Sequence, residues 1–222
     1  MVKEELNKSL VDRLEEIIYE RIVGGELALG QKINVTELKK EFGISATPIR
    51  DALNRLAQRG MITVSPRVGY YVRTFTLQDI EDIYELRKIL EIGALEKAIN
   101  NIKNGELEAH RERTLQSSGR IIKGSKGVKF LKEESPHLLI INNCGNKKLQ
   151  EAYSRIDDYI EMLLSIHPKG KESFDEHLQL LDALKDRDLE KAKRILERHI
   201  ENVKQTAREL IKKYGAEKGE RR

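Results

Sequence analysis

The sequence predicts a mainly α-helical protein, with an N-terminal winged helix-turn-helix followed by a C-terminal antiparallel all-α helical bundle. Two observations support this prediction. A short helix with one apolar face precedes two β-rich runs around a Pro/Gly turn. Most of the remaining chain repeats apolar residues at three- and four-residue spacing, the period of an amphipathic helix. The 222 residues suffice for two modest domains, and 35% charged residues without tryptophan are typical of a charge-rich helical protein.

A short polar helix is predicted directly after Gly43, a residue suited to the left-handed conformation that ends a helix. Ser45 or Thr47 can cap the new helix, and Pro48 is tolerated in its first turn, where its missing N–H needs no partner. The apolar face of this helix consists of Ile49, Ala52, Leu53 and Leu56. Its opposite face carries Ala46, Thr47, Arg50 and Asn54. Because its back is apolar and its front is short, polar and cationic, the helix fits the major groove of DNA.

Two β-rich runs follow this helix, at residues 61–64 and 70–72, with Pro66, Arg67 and Gly69 in the turn between them. This pattern predicts a β-hairpin, the wing of a winged helix-turn-helix. Residues 42–76 contain five arginines, no lysine and one acid, Asp51, so their net charge of +4 equals that of the whole chain. This concentration of charge indicates a DNA-binding surface. The alternative is that the arginines only solvate the surface.

Residues 8–76 resemble the DNA-binding domain of the GntR transcription regulators. The matching pieces, in order, are a helix at 10–22, a Gly-Glu-Leu turn at 25–27 with Gly30, a helix at 36–42, a Ser-x-Thr-Pro-x-Arg-x-Ala-Leu helix at 45–53, and Gly69 in the wing. The resemblance implies DNA contacts from the start of the second helix, the early recognition helix and the wing. The candidate contacts are Thr36, Ser45, Thr47, Arg50, Asn54, Arg67 and Gly69. Thr36 and Ala46 stand where relatives often carry arginine, so the readout is expected to shift to other members of this set.

Two histidines of the predicted bundle lie on apolar helix faces that are expected to meet. A helical turn is predicted near Arg187, with His177 ten residues before it and His199 twelve residues after it. At a rise of ~1.5 Å per residue, both lie at similar heights, roughly 15 and 18 Å from the turn. A lone core histidine is usually a packed residue, but two neutral imidazoles facing each other favour a divalent cation.

The same part of the chain resembles the metal-binding version of the FCD domain, a helical effector domain found in one GntR subfamily. The matching residues are His137 before an apolar run ending in Gly145-Asn146, Glu176-His177 followed by Asp186 or Asp188, and His199. The resemblance implies an Asp-His₃ site for a divalent metal, zinc first, with nickel or another transition metal as alternatives. Glu133 stands in place of the family's aspartate. Pro136 disfavours the helix that would join Glu133 to His137.

The resemblance also implies the partners: a double-stranded DNA operator, a second copy of the chain in a homodimer, and a small carboxylate effector that completes the metal's coordination. Arg87 matches a family arginine and is expected either to pair with the effector carboxylate or to form a structural ion pair. Two alternatives stay open. The site is purely structural, or it belongs to a metal-dependent hydrolase. Because no His-Glu-x-x-His motif accompanies the histidines, we predict a regulator and not an enzyme.

The predicted domains are the winged helix-turn-helix at residues 1–76, a helical effector, metal-binding and dimerisation domain at 77–214, and a fraying tail at 215–222. Without a signal peptide or an apolar run of membrane length, and with Cys144 as the single cysteine, the chain is expected to be cytoplasmic and to contact no membrane.

Residues 104–136 interrupt the helical pattern with Ser117-Ser118-Gly119, Gly124, Gly127 and Pro136. Either a long loop or a compensated frameshift in the gene accounts for this stretch. Of the remaining histidines, His110 and His167 match no motif and are expected on the surface.

Overall fold

The computed structural model describes residues 9–119, 135–166 and 171–219. The chain divides into two compact units. The first combines residues 1–74 with residues 158–166, and the second combines residues 75–157 with residues 167–222. Among the described helices, none is both long and apolar enough to cross a membrane.

The first unit is a winged helix-turn-helix, as predicted. Its elements are α1 (Leu10–Val23), β1 (Lys32–Ile33), α2 (Val35–Phe42), α3 (Ala46–Gln58), β2 (Ile62–Ser65) and β3 (Gly69–Val72). The three strands form an antiparallel sheet in the order β1-β3-β2. Strands β2 and β3 form the wing, with Ser65 opposite Gly69 at the tip. The apolar face predicted for α3 is buried in full.

Local capping sets the boundaries of these helices. Asn34 caps α2 because its side chain accepts hydrogen bonds from the amides of Thr36 and Glu37. Gly43 ends α2 in the left-handed conformation, with φ 66°. Ser45 occupies the N-cap position of α3, but its side chain makes no capping hydrogen bond. Ser45 is also exposed, so its hydroxyl is accessible at the start of the recognition helix.

The second unit is helical in its described parts. Its elements are α4 (Leu77–Ala98), α5 (Asn104–Gly119), α6 (Pro136–Asn143), α7 (Lys147–Ser165), α8 (Lys171–Lys185) and α9 (Leu189–Gly219), with the end of α7 from Asp158 grouped into the first unit. Thr76 caps α4 in a capping box with Asp79, as the sequence predicts. The predicted turn near Arg187 is also present, where Arg187 has φ 56° between α8 and α9.

The expectation of a loop from residue 104 is wrong for its first half, because α5 continues to Gly119 through both serines. The helix is held by an inner face of Leu107, His110 and Thr114, all buried. The placement of His110 on the surface is wrong for the same reason. Residues 120–134, which include Glu133, lie outside the described residues, as do His167 and the predicted break at 167–170.

Candidate functional site

The predicted DNA contacts all belong to the helices and the wing of the first unit. Thr36 lies at the start of α2, and Arg50 lies in the first half of α3. Arg67 occupies the tip of the wing with φ 63°, a value that is uncommon for a residue other than glycine. Six of the seven candidates are exposed, and Gly69 is half-buried: Thr36, Ser45, Thr47, Arg50, Asn54 and Arg67 are the exposed ones.

Only part of the positive charge counted in the sequence is available to a polyanion. Arg55 forms an ion pair with Asp12, with Nη1 2.6 Å from Oδ1. Arg59 donates to both carboxylate oxygens of Asp158, at 2.9 and 2.8 Å, and Arg73 lies over the ring of Tyr159. Arg50 and Arg67 are exposed and, across the described ranges, pair with no acidic side chain. These two arginines are therefore the strongest candidates for phosphate or base contacts.

Three histidines from three different helices converge in the second unit. Proline at the first position of α6 starts that helix and places His137 in its first turn. His177 comes from α8 and His199 from α9. The Nε2 atom of His177 lies 3.2 Å from that of His137 and 3.3 Å from that of His199. The predicted meeting of His177 and His199 is present, with His137 as the third member.

Two buried carboxylates orient the outer histidines. Oε2 of Glu91 lies 2.5 Å from Nδ1 of His137, and Oε2 of Glu176 lies 2.9 Å from Nδ1 of His199. A carboxylate only accepts hydrogen bonds, so each Nδ1 carries the proton and donates it. The Nε2 atoms of His137 and His199 are therefore unprotonated, and each carries a lone pair that is available at the centre of the cluster.

The cluster fits a divalent cation better than it fits a set of hydrogen bonds. Only His177 has a ring proton left for the centre, and one proton cannot serve both of its Nε2 neighbours. Ligands at ~2.1 Å from a tetrahedral ion lie about 3.4 Å apart, close to the Nε2 separations found here. Carboxylates behind metal-bound histidines are also the usual arrangement of such sites. The residues present therefore suit a metal held by three imidazoles.

Burial keeps the imidazoles neutral, which is the form that binds metals. It lowers the pKa of His137, and it lowers the pKa of His177 well below its ordinary value. Burial also lowers the pKa of His199, to about 4, although the hydrogen bond to Glu176 opposes this shift. Burial works against ionisation of Glu91, but the positive charge of Arg87 holds the pKa of this carboxyl well below its usual range.

Arg87 lies beside the cluster. It is buried on α4, where its Nε donates to Oε1 of Glu91 at 2.6 Å. Glu91 also contacts His137, so this carboxylate links the guanidinium to the cluster. The sequence prediction left a structural ion pair open for Arg87, and that ion pair is present.

Sequence reasoning missed both orienting carboxylates. Glu91 follows Arg87 by four residues on the same face of α4, a spacing that signals the ion pair but not the histidine. The motif pairs Glu176 with its neighbour His177, but in the structure Glu176 contacts His199. Asp188, one of two acids named with the motif, caps α9 by accepting from the amide of Lys191. The two orienting carboxylates are far in sequence from their histidines: Glu91 is 46 residues from His137, and Glu176 is 23 residues from His199.

The sequence profile described as "Bacterial regulatory proteins, gntR family" matches residues 10–72, and the profile of the FCD domain matches residues 82–202, more than half of the chain. The chain is a GntR-family transcription regulator with an FCD domain. It therefore has the FadR-type architecture, in which a DNA-binding winged helix-turn-helix precedes a helical domain. The protein is a transcription regulator and not an enzyme.

Individual relatives of this GntR regulator agree with the family assignment. It is 28% identical over 186 residues to the Nta operon transcriptional regulator of Aminobacter aminovorans, covering 82% of this chain and 87% of that one. It is 26% identical over 177 residues to the HTH-type transcriptional regulator YdhC of Bacillus subtilis, covering 78% and 79%. A GntR-type regulator from Rhodococcus sp. RHA1 shares its fold, with a TM-score of 0.75 at 14% identity over 90% of this chain and 98% of the other.

Proposed function

We propose that the FCD domain of this regulator holds a divalent metal on His137, His177 and His199, and that a small organic acid bound at the metal modulates DNA binding. The observation that supports the proposal is the convergence of three Nε2 atoms. Two of them are unprotonated, because a carboxylate holds the ring proton of His137 and of His199 on Nδ1. Zinc is the first expectation, and nickel or another transition metal has the same preference for imidazole.

The surroundings of the histidines support a carboxylate as the effector. Three protein ligands leave at least one coordination position for a small molecule or water. Arg87 supplies a buried positive charge, and Glu91 links it to His137 by contacting both side chains. On the same face of α4, the hydroxyl of Tyr84 is buried, and Cζ of Arg87 lies 5.8 Å from the centre of the Tyr84 ring. A metal, a guanidinium and a phenol together suit a small organic acid, whose oxygen atoms can bind the metal and accept hydrogen bonds.

A purely structural metal is the competing proposal, and one observation favours it. Arg87 is already paired with Glu91, so its charge is partly neutralised. The two proposals differ in a measurable way: a structural site stabilises the domain but does not respond to carboxylates.

The DNA-binding part of the proposal assigns the operator contacts to the start of α2, to α3 and to the wing. Arg50 and Arg67 supply the charge, and Thr47 and Asn54 face the groove from α3. The remaining contacts are Thr36, Ser45 and Gly69. Tyr70 orients Asn54 by donating its hydroxyl to Oδ1 at 3.1 Å.

We further propose that the regulator acts as a homodimer through α4. Two large apolar side chains, Leu86 and Ile89, are 41% and 61% exposed and lie three residues apart on one face of this helix. An exposed apolar pair on a helix otherwise packed against the bundle is typical of a surface that a partner covers. A second copy fits, because two-fold operators are read by two-fold proteins.

The metal is tested by comparing His199→Ala with His110→Ala. Both variants remove a buried histidine of the same unit, but only the first removes a proposed ligand. Wild type and His110→Ala should each contain about one metal ion per chain, and His199→Ala should contain much less, because two imidazoles bind more weakly than three. Elemental analysis measures the content. Equal occupancy in wild type and His199→Ala would contradict the proposed site.

The effector is tested on the metal-loaded wild type by thermal shift with a panel of small carboxylates. Binding to the folded state alone should raise the melting temperature with concentration. The same panel should have little effect on the metal-free protein. A metal-loaded protein that no carboxylate stabilises would favour the structural site.

A further inference from the structure

Glu91 differs in its contacts from Glu176, the other described carboxylate that orients a histidine of the cluster. It is fully buried on α4, and its two oxygens serve different partners. Oε2 accepts from Nδ1 of His137 at 2.5 Å. Oε1 accepts from Nε of Arg87 at 2.6 Å and from the hydroxyl of Tyr153 at 3.1 Å. One carboxylate therefore contacts both a proposed metal ligand and the arginine proposed to meet the effector.

Glu176 provides an internal comparison. Its Oε2 accepts from Nδ1 of His199 at 2.9 Å, which is the role that Glu91 has for His137. Its Oε1 accepts instead from Arg198 and Asn202, at 3.3 and 2.8 Å. Arg198 is exposed, whereas Arg87 is buried. Both carboxylates therefore orient a histidine, but only Glu91 also pairs with a buried arginine.

We propose that Glu91 is a positioning residue shared by two binding events: it orients His137 for the metal and, through the same charge, controls how strongly Arg87 attracts an organic acid. This inference rests on the proposed function above. Because the metal draws electron density from His137, it strengthens the Nδ1–H bond to Glu91. The carboxylate then neutralises Arg87 less, and the arginine attracts the acid more.

The consequence is a coupling between the two ligands. The metal raises the affinity for the acid, and the acid must raise the affinity for the metal by the same factor. Part of this coupling comes from direct coordination of the acid by the metal, and Glu91 adds to it. Removing the charge of Glu91 has two opposite effects: it weakens the metal site, and it releases Arg87 for the acid even without metal.

The experiment compares Glu91→Gln with the matched variant Glu176→Gln, using Zn²⁺ and acetate as probes in titration calorimetry. Each variant should lower the Zn²⁺ affinity by about 10- to 100-fold, because each weakens the support of one histidine. Only Glu91→Gln should raise the acetate affinity of the metal-free protein, by roughly tenfold, since an unpaired guanidinium gains a charge-assisted bond. Only Glu91→Gln should reduce the factor by which Zn²⁺ improves acetate binding.

A second variant, Glu91→Asp, separates the effect of the negative charge from the effect of side-chain length. It also replaces Glu91→Gln in the experiment if that variant does not fold. Glu91→Asp keeps the negative charge near Arg87 but shortens the side chain. It should weaken Zn²⁺ binding and leave the acetate affinity of the metal-free protein within about twofold of wild type. In both variants, X-ray absorption of the Zn²⁺-loaded protein should report imidazole ligands, since His137 itself is retained.

The outcomes distinguish this inference from the function on which it rests. If wild type binds no Zn²⁺, or binds Zn²⁺ but never acetate, the proposed function fails and the inference fails with it. If both ligands bind and Glu91→Gln behaves like Glu176→Gln, only the inference is overturned, and Glu91 is then a support for His137 alone. A rise in metal-free acetate affinity confined to Glu91→Gln supports it.

Discussion

At the scale of the residue, the same side-chain type has different roles according to its partners. Five arginines lie between residues 42 and 76, and three of them are held by acidic or aromatic side chains of the first unit. An arginine whose guanidinium is already paired offers less to a phosphate. We therefore propose that the positive charge that contacts DNA resides mainly in Arg50 and Arg67, and we expect fewer counterions to be released on binding than the sequence count implies.

Arg50→Ala should weaken operator binding and lower the slope of log K against log salt by about 1, because one phosphate contact is lost. The melting temperature should stay near that of wild type, since Arg50 is exposed. Fluorescence anisotropy at several salt concentrations measures both quantities. The control is Arg194→Ala, an exposed arginine on α9 in the second unit. An unchanged slope for Arg50→Ala would mean that α3 does not face DNA.

At the scale of the element, the end of the recognition helix depends on a close packing contact. Gly60 follows α3 with φ 79°, a conformation that disfavours a side chain. A Cβ at this position would overlap the hydroxyl of Tyr159, which lies in the part of α7 that groups with the first unit. Gly43, after α2, has a similar φ of 66°, but apart from its chain neighbours no residue in the described part of the chain has an atom within 4 Å of its Cβ position. The two glycines therefore separate backbone strain from steric overlap.

Gly43→Ala should destabilise the protein by about 1–2 kcal/mol, the cost of a left-handed residue with a Cβ. Gly60→Ala should cost more than this, because the ring of Tyr159 must also move. Urea denaturation followed by circular dichroism gives the difference. Combining Gly60→Ala with Tyr159→Phe should recover part of the extra loss, since the hydroxyl is the nearest atom. Equal costs for the two glycines would show that Tyr159 does not restrict this turn.

At the scale of the whole molecule, we propose that the regulator reads two half-sites as a homodimer. One winged helix covers only one half-site. The exposed pair Leu86 and Ile89 provides an apolar surface on the FCD domain that does not involve the histidine cluster. Dimer formation and metal binding should therefore be separable by mutation.

Leu86→Glu combined with Ile89→Glu should convert the proposed dimer into a monomer, because two charges would be buried in an apolar interface. Wild type should sediment as a dimer at micromolar concentration and protect two half-sites about one or two helical turns apart in footprinting. Leu77→Glu is the control, since Leu77 is 38% exposed at the start of the same helix. A wild-type monomer, or a double variant that still dimerises, would exclude this face of α4.

The sequence by itself determined what depends on neighbours along the chain. Helical periodicity, the Thr76 capping box and the left-handed Gly43 are local, so α3, α4 and the winged fold were predictable. The facing of His177 and His199 was predictable too, because a single turn at Arg187 relates the two helices. The loop predicted from residue 104 was wrong up to residue 119. Leu107 and His110 lie on one buried face of α5, and this tertiary burial stabilises the helix.

Only the tertiary structure decided which charged groups meet. Glu91 and His137 are 46 residues apart, and Arg59 and Asp158 are 99 residues apart. No local sequence pattern links such pairs, because the packing of the helices determines which side chains are close enough to form a hydrogen bond. Those meetings assign Glu91 to His137 and Arg87, and they remove Arg59 from the surface available to DNA. The sequence thus contained the three histidines that we propose as ligands, and the packing of distant helices supplied the carboxylates that orient two of them.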